Sequence, residues 1–171
     1  MRRIVLVAHN LRSAHNVGSL LRTADGLGAE HVYLTGYTPY PILADDTRLP
    51  HLAKKLDAQI HKTALGAEKS LSIVHSDDIQ KVFNDLRSQK YTIYALEQSN
   101  ESHPLPRFNT ANNIALVIGR EVEGLEVEVL GSVDSVVEIP MLGDKESFNV
   151  VQAAAMALYH FRYLALHDSV K

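Results

Sequence analysis

Short apolar runs rich in β-branched residues recur along the chain, at Arg3–Ala8, His31–Thr35, Leu71–His75, Tyr91–Leu96, Ile114–Ile118 and Val133–Ile139. Each has the length and composition of a strand. Between several of them the apolar positions fall at helical spacing, which predicts helices over Val17–Leu27, Asp77–Gln89 and Asn149–Leu166, with a short helical turn about Glu126–Leu130. Strands alternating with helices imply an α/β domain with a largely parallel sheet. No internal repeat or low-complexity linker interrupts the pattern, so residues 1–171 read as a single domain. Two connections are longer than such folds usually need. Gly36 to about Ser70 carries Pro39, Pro41 and Pro50 together with Arg48, Lys54, Lys55, Lys62 and Lys69. It predicts a short helix near Leu52–Leu56, and either a substrate-contacting segment or a solvated surface excursion. Glu97–Asn113 is polar, holds Pro104 and Pro106, and reads as a return to the next strand.

With 46% hydrophobic and 22% charged residues among 171, the chain can bury one sizeable core, and no apolar run is long enough to span a bilayer. The opening MRRIVLVAHN turns polar too soon for a secretory signal and reads as a first strand, which points to a cytoplasmic protein. The absence of cysteine excludes disulfides, thiolate metal sites and thiol nucleophiles. A net charge of −3 is awkward for a polyanion partner, but it is unevenly spread. Residues 1–70 hold nine Lys and Arg against six Asp and Glu, whereas residues 71–171 hold eight against fourteen, so a phosphate-binding surface belongs in the first half.

Three segments carry candidate chemistry. In NLRSAHNVGSLLRTADGLGA, Asn10 stands at a strand end, Asn16 at an expected helix N-cap, Gly18 leaves room near the helix start, and Arg22 follows more than a turn later. A first helical turn offers unpaired N–H groups to an anion, and Arg12 and Arg22 could grip a phosphate. Taken alone, the segment reads better as an ordinary capped helix with surface arginines. ALVIGREVEGLEVEVL is a buried strand that ends at Gly119 and opens a loop with Glu121 and Gly124. Such a transition lets a ligand approach the backbone closely at the carboxyl edge of a sheet, adenosine being one candidate, although the spacing is not that of dinucleotide folds. VVEIPMLGDKESFNVVQAAAMALYHF joins a strand to a glycine-containing loop and then to a helix that is apolar on more than one face. A helix of that kind is buried in its own core or against a second subunit.

In this order, the three segments resemble the signature motifs of the TrmH/SpoU family within the SPOUT methyltransferases, and the resemblance covers essentially the whole chain. Asn16 stands six residues before Arg22, Glu121 two residues after Gly119, and Ile139, Pro140 and Met141 precede Ser147-Phe148-Asn149, with Phe148 where leucine is more usual. The resemblance implies an RNA 2′-O-ribose methyltransferase that uses S-adenosylmethionine and works as a homodimer. Its fold would be an α/β knot in which the C-terminal segments thread a deep trefoil; pattern alone would have suggested an unknotted doubly wound sheet. By the same resemblance Leu96, Gly119, Ile139, Met141, Leu142 and Phe148 line the cofactor pocket, Phe148 packing against adenine. Arg22, Asn16, Glu121, Ser147 and Asn149 form the catalytic set, and Arg12 joins Arg22 in contacting RNA. No metal is implied, and the nine histidines show no metal-ligand spacing. No separate RNA-binding domain precedes the first motif, which reads as a minimal catalytic unit, with tRNA preferred over ribosomal RNA as substrate. The alternative is a catalytically silent RNA-binding module that has kept the knot.

Overall fold

The computed structural model describes residues 2–164. The first half runs β1 (Arg3–His9), α1 (Ala14–Gly26), β2 (His31–Thr35), α2 (Pro50–Ala64), α3 (Ala67–Ser70), β3 (Ser72–Ser76) and α4 (Ile79–Ser88). The second runs β4 (Thr92–Leu96), β5 (His103–Pro104), a 3-10 turn (Leu105–Arg107), β6 (Asn113–Ile118), α5 (Val127–Leu130), β7 (Ser135–Glu138), α6 (Val150–Tyr159) and a π-type turn (His160–Leu164). The strands form one sheet in the order β3-β2-β1-β6-β4-β7-β5, with every pairing parallel. From β4 the chain crosses to the edge as β5. It then re-enters between β1 and β4 as β6, and again between β4 and β5 as β7.

Side chains alternate across a strand, so the continuous apolar runs of β1 and β6 can only be satisfied by cover on both faces. Ile4, Leu6 and Ala8 of β1 and Ile114, Leu116 and Ile118 of β6 face a layer that includes Leu20, Ile60, Ala154 and Phe161 from the α1, α2 and α6 side. Val5, Val7, Ala115 and Val117 face Phe83 and Leu86 of α4 and Val129 of α5.

Several expectations shift in detail. The N-cap of the first helix is Ser13, not Asn16: the Ser13 hydroxyl accepts from the Asn16 amide at 3.2 Å, and the helix begins three residues earlier than the apolar spacing suggested. The segment after Gly36 holds the fifteen-residue helix α2, started by Pro50 at its first turn, rather than a short piece near Leu52–Leu56. Glu97–Asn113 supplies a seventh strand instead of a plain return. The last helix passes into a π-type turn at His160, and its expected end at Leu166 lies outside the described residues.

Gly18 lies in the contact between α1 and α2 rather than in free space at a helix start. A Cβ there would fall on the Ile60 carbonyl oxygen and the Thr63 hydroxyl. The Thr63 hydroxyl donates to the His15 carbonyl at 2.8 Å, so the two helix backbones are also stitched together by a hydrogen bond. The loop before α2 is equally fixed: the Arg48 guanidinium lies 3.5 Å over the Tyr40 ring, which stacks in turn on His75 at 3.8 Å. At the far end of the domain the buried Arg162 donates to the carbonyls of Arg2, Leu27 and Gly28 at 2.6, 3.0 and 2.7 Å. That contact ties the end of α6 to β1 and to the turn after α1.

Gly18→Ala is expected to push α2 off α1 and to cost about 1–3 kcal/mol, the usual range for overpacking. Urea unfolding measures it, and an unchanged midpoint would mean that the helices do not meet at this glycine.

Candidate active site

The loops leaving the adjacent strands β6, β4 and β7 meet the start of α6 around a cleft of about 130 Å³. Leu96 and Glu97 come from the end of β4, Gly119 and Arg120 from the end of β6, Ile139 from the end of β7, and Phe148 from the approach to α6. Gly124, with φ +69°, closes the loop after β6. Its amide donates to the Arg120 carbonyl at 3.2 Å, and the Arg120 Nε returns a bond to the Gly124 carbonyl at 3.1 Å. Glu97 braces the same loop from β4: its Oε2 accepts from the Leu125 amide at 3.0 Å, and a Cβ on Gly124 would collide with its carboxylate.

Glu121 joins this loop to the start of α1. Its Oε1 accepts from the Ser13 amide at 3.2 Å and from the Asn16 side-chain amide at 3.1 Å, and its Oε2 lies 3.3 Å from the Arg12 amide. A helix start leaves such N–H groups without intrahelical partners. Here a carboxylate more than a hundred residues away in sequence takes the place that a glutamate of the helix itself fills in a capping box. Burial alone would push the Glu121 carboxyl up, but the bonds from Asn16, Arg12 and Ser13 outweigh it and hold the pKa below the ordinary 4.5.

A second polar cluster lies beside the first. Asn10, in the left-handed region at φ 56°, accepts from the Tyr37 amide at 3.1 Å, which fixes its carbonyl oxygen. Its amide nitrogen therefore donates, to Glu126 Oε1 and to His9 Nε2, both at 3.0 Å. His9 then carries its proton on Nδ1, 2.9 Å from the Thr35 hydroxyl. Burial keeps His9 below its usual pKa of 6.5 despite the nearby Glu126 carboxylate.

Of the residues singled out from sequence, Leu96, Gly119, Ile139, Phe148, Glu121 and Ser147 line the cleft. Asn16 stands behind Glu121, and Asn149 is the N-cap of α6, its Oδ1 accepting from the Val151 amide at 2.9 Å. Met141 and Leu142 are not part of the lining, and Leu142 is 99% exposed. Arg12 is exposed and bonded to Glu123 at 2.6 Å. Arg22 is exposed on α1, about 9 Å along the helix axis from Asn16, and makes no ion pair among the described residues. Sequence reasoning passed over Glu97, Gln98, Arg120 and Glu138, all of which line the cleft. For Arg120 the available signal was the pair Gly119 and Gly124, whose spacing marks a tight turn; Glu97 had none. Among the described residues no cluster of His, Asp and Glu could hold a metal ion, and no helix is long and apolar enough to cross a membrane.

Residues 3–159 match the SpoU rRNA Methylase family. The chain belongs to that family. Among SpoU relatives, the 23S rRNA (guanosine-2′-O-)-methyltransferase RlmB of Xanthomonas campestris is 28% identical over 158 residues, which are 92% of this chain and 57% of that protein. The tRNA (guanosine(18)-2′-O)-methyltransferase of Thermus thermophilus is 26% identical over 159 residues, 91% of this chain and 72% of that protein. The crystal structure of the SpoU methyltransferase AviRb from Streptomyces viridochromogenes in complex with AdoMet superposes with a TM-score of 0.80 at 22% identity. The superposition covers 97% of this chain and 59% of that one, and it establishes the shared fold. The SpoU chain described here thus spans little more than half the length of two of these three proteins.

Because the Glu121 carboxyl is held below 4.5, its contribution to stability is complete above that pH and is lost as the pH falls through the lower folded value. Glu121→Gln is expected to cost on the order of 1 kcal/mol at neutral pH. It should also lose less further stability than the native chain on acidification below 4.5. Denaturant unfolding at a series of pH values checks this; parallel acid profiles for the two proteins would rule the capping role out.

Proposed function

We propose that this chain transfers a methyl group from S-adenosylmethionine to a ribose 2′-hydroxyl of RNA in the cytoplasm, as a homodimer, with tRNA preferred over ribosomal RNA. The proposal is carried by the cleft where three strand ends meet, joined through Glu121 to the start of α1, with Arg12 just before that helix and Arg22 on it. Strand insertions at β6 and β7, on either side of β4, are the arrangement that a C-terminal trefoil knot requires, and we include the knot in the proposal. For the dimer the support is the exposed apolar side of α6 and its extension. Met156, Tyr159 and Leu164 border an apolar hollow of about 600 Å³ that also takes in Leu105 and Ile139. For tRNA the support is the larger share, 72%, that this chain spans of the tRNA-modifying relative.

The cleft suits the cofactor chemically. Leu96, Gly119 and Ile139 line the cleft where their backbone groups would hydrogen-bond an adenine edge, and the apolar ring of Phe148 would cover its face. The carboxylates of Glu97 and Glu138 give the cleft the negative character that a sulfonium ligand favours. When bound, S-adenosylmethionine supplies an electrophilic methyl group.

The chain's own task is to hold the ribose oxygen in line and to manage its proton. Near-attack positioning can contribute roughly 7–11 kcal/mol, more than a general base supplies. A guanidinium stays protonated in proteins, so Arg22 acts as a phosphate clamp and stabiliser of the developing alkoxide, while a phosphate oxygen or water accepts the proton. Arg22 lies outside the cleft of its own subunit, so the partner in a dimer would present it. Asn16, Glu121, Ser147 and Asn149 orient Arg22 and the ribose, and Arg12 supports the RNA backbone.

Arg22→Ala is expected to retain the cofactor affinity of the native chain, measured by calorimetric titration with S-adenosylmethionine, while methyl transfer to bulk tRNA falls at least ~100-fold. Equal loss of both would remove Arg22 from this role. A native chain that does not bind S-adenosylmethionine would overturn the function itself.

A further inference from the structure

We infer that the outward face of α2 is a second phosphate-contacting surface, which extends the RNA site sideways from Arg22 across the neighbouring helix. The inference rests on the RNA reading above. Its basis is the distribution of charge on α2.

His51, Lys54, Lys55, Ala58, His61 and Lys62 are all exposed and recur at intervals of three and four, so they form one stripe, while Ala53, Ile60 and Ala64 face the core. No acid lies on that stripe. Asp57, the one acidic residue of α2, is half-buried off the stripe and accepts from the Ile42 amide at 3.0 Å. His61 is tied to Glu68 at 2.6 Å, but Lys54, Lys55 and Lys62 enter no ion pair among the described residues. Lys69, Lys81, Lys90 and Lys145 likewise enter no ion pair among the described residues, so what sets α2 apart is that three such lysines share one acid-free stripe. A protein of net charge −3 thus leaves three lysines unneutralised side by side on a single helix.

Their position relative to Arg22 follows from the packing. Gly18 of α1 lies against Ile60 and Thr63 of α2, and Asp25 of α1 accepts from the Ser70 hydroxyl at 2.8 Å. Arg22 falls between these two contacts, one helical turn beyond Gly18, and so projects on the α2 side of α1. Lys54 and Lys62 are about 12 Å apart along the helix axis, enough to follow an extended stretch of sugar–phosphate backbone rather than one anion. A membrane surface fits less well, since the exposed Leu52 and Leu65 stand at opposite ends of α2 and form no continuous apolar face.

The test compares Lys54→Gln/Lys55→Gln/Lys62→Gln with Lys81→Gln/Lys90→Gln, on and beside α4 across the sheet, and with the triple Lys→Arg variant at the α2 positions. Binding of fluorescently labelled bulk tRNA is titrated over a salt series, and S-adenosylmethionine binding is measured in parallel. The triple glutamine variant should lose tRNA affinity ~10-fold or more, and the slope of log affinity against log salt should fall by about 2–3, with cofactor affinity unchanged. The arginine variant and the α4-side variant should keep the native slope. A native slope in the triple glutamine variant would overturn the inference while leaving the proposed reaction standing. Loss of binding to phosphatidylserine vesicles with tRNA binding intact would overturn it in favour of a membrane surface. A native chain that binds S-adenosylmethionine but no RNA would overturn this inference and the RNA reading together.

Discussion

The insertion of β6 between β1 and β4 is the constraint on which the site depends. A parallel sheet buried on both faces admits a new central strand only if that strand is apolar on both sides, and Ile114–Ile118 meets the condition at every position. Once β6 is seated, the register of Ala8 with Ile118 sets the ends of the first and sixth strands level. Their loops then emerge side by side, and Glu121 reaches the amides of Arg12 and Ser13 without any long-range search. Neighbourhood in the sheet thus substitutes for neighbourhood in the chain.

Around that constraint the two layers differ in what they do. The α4 and α5 side closes the core with Phe83, Leu86 and Val129. The opposite layer of α1, α2 and α6 bears the cleft's helix start, Arg22 and the lysine stripe. The contact of α1 with α2 is accordingly intimate: a glycine notch receives a helix backbone, and a threonine hydroxyl bonds across it. A close contact of this kind holds charged side chains of two helices in one fixed relation, which a flexible loop could not do.

Much of this was legible in the sequence because it was written in apolar periodicity. All six expected strands are present, and so is the short helix after Glu126. What escaped has physical reasons. α2 is anchored by Ala53, Ile60 and Ala64, and two alanines carry little apolar signal, while the prolines around it read as loop punctuation. β5 is two residues long and includes Pro104, below the length at which alternation can register. Within the candidate site, Leu96, Gly119, Ile139 and Phe148 were expected to line a pocket from the family resemblance alone, and they line the cleft, whereas Met141 and Leu142, expected on the same ground, do not. The brace from Glu97 to Leu125 joins residues that no local pattern connects.

The carboxylate of Glu121 belongs to the wall of the cleft and to the start of α1 at once. A ligand that moved the 119–125 loop would therefore move the seat of that helix as well, and such a linkage would be reciprocal. Any ligand that favours one arrangement of the 119–125 loop must, to the same degree, favour the arrangement of α1 that goes with it.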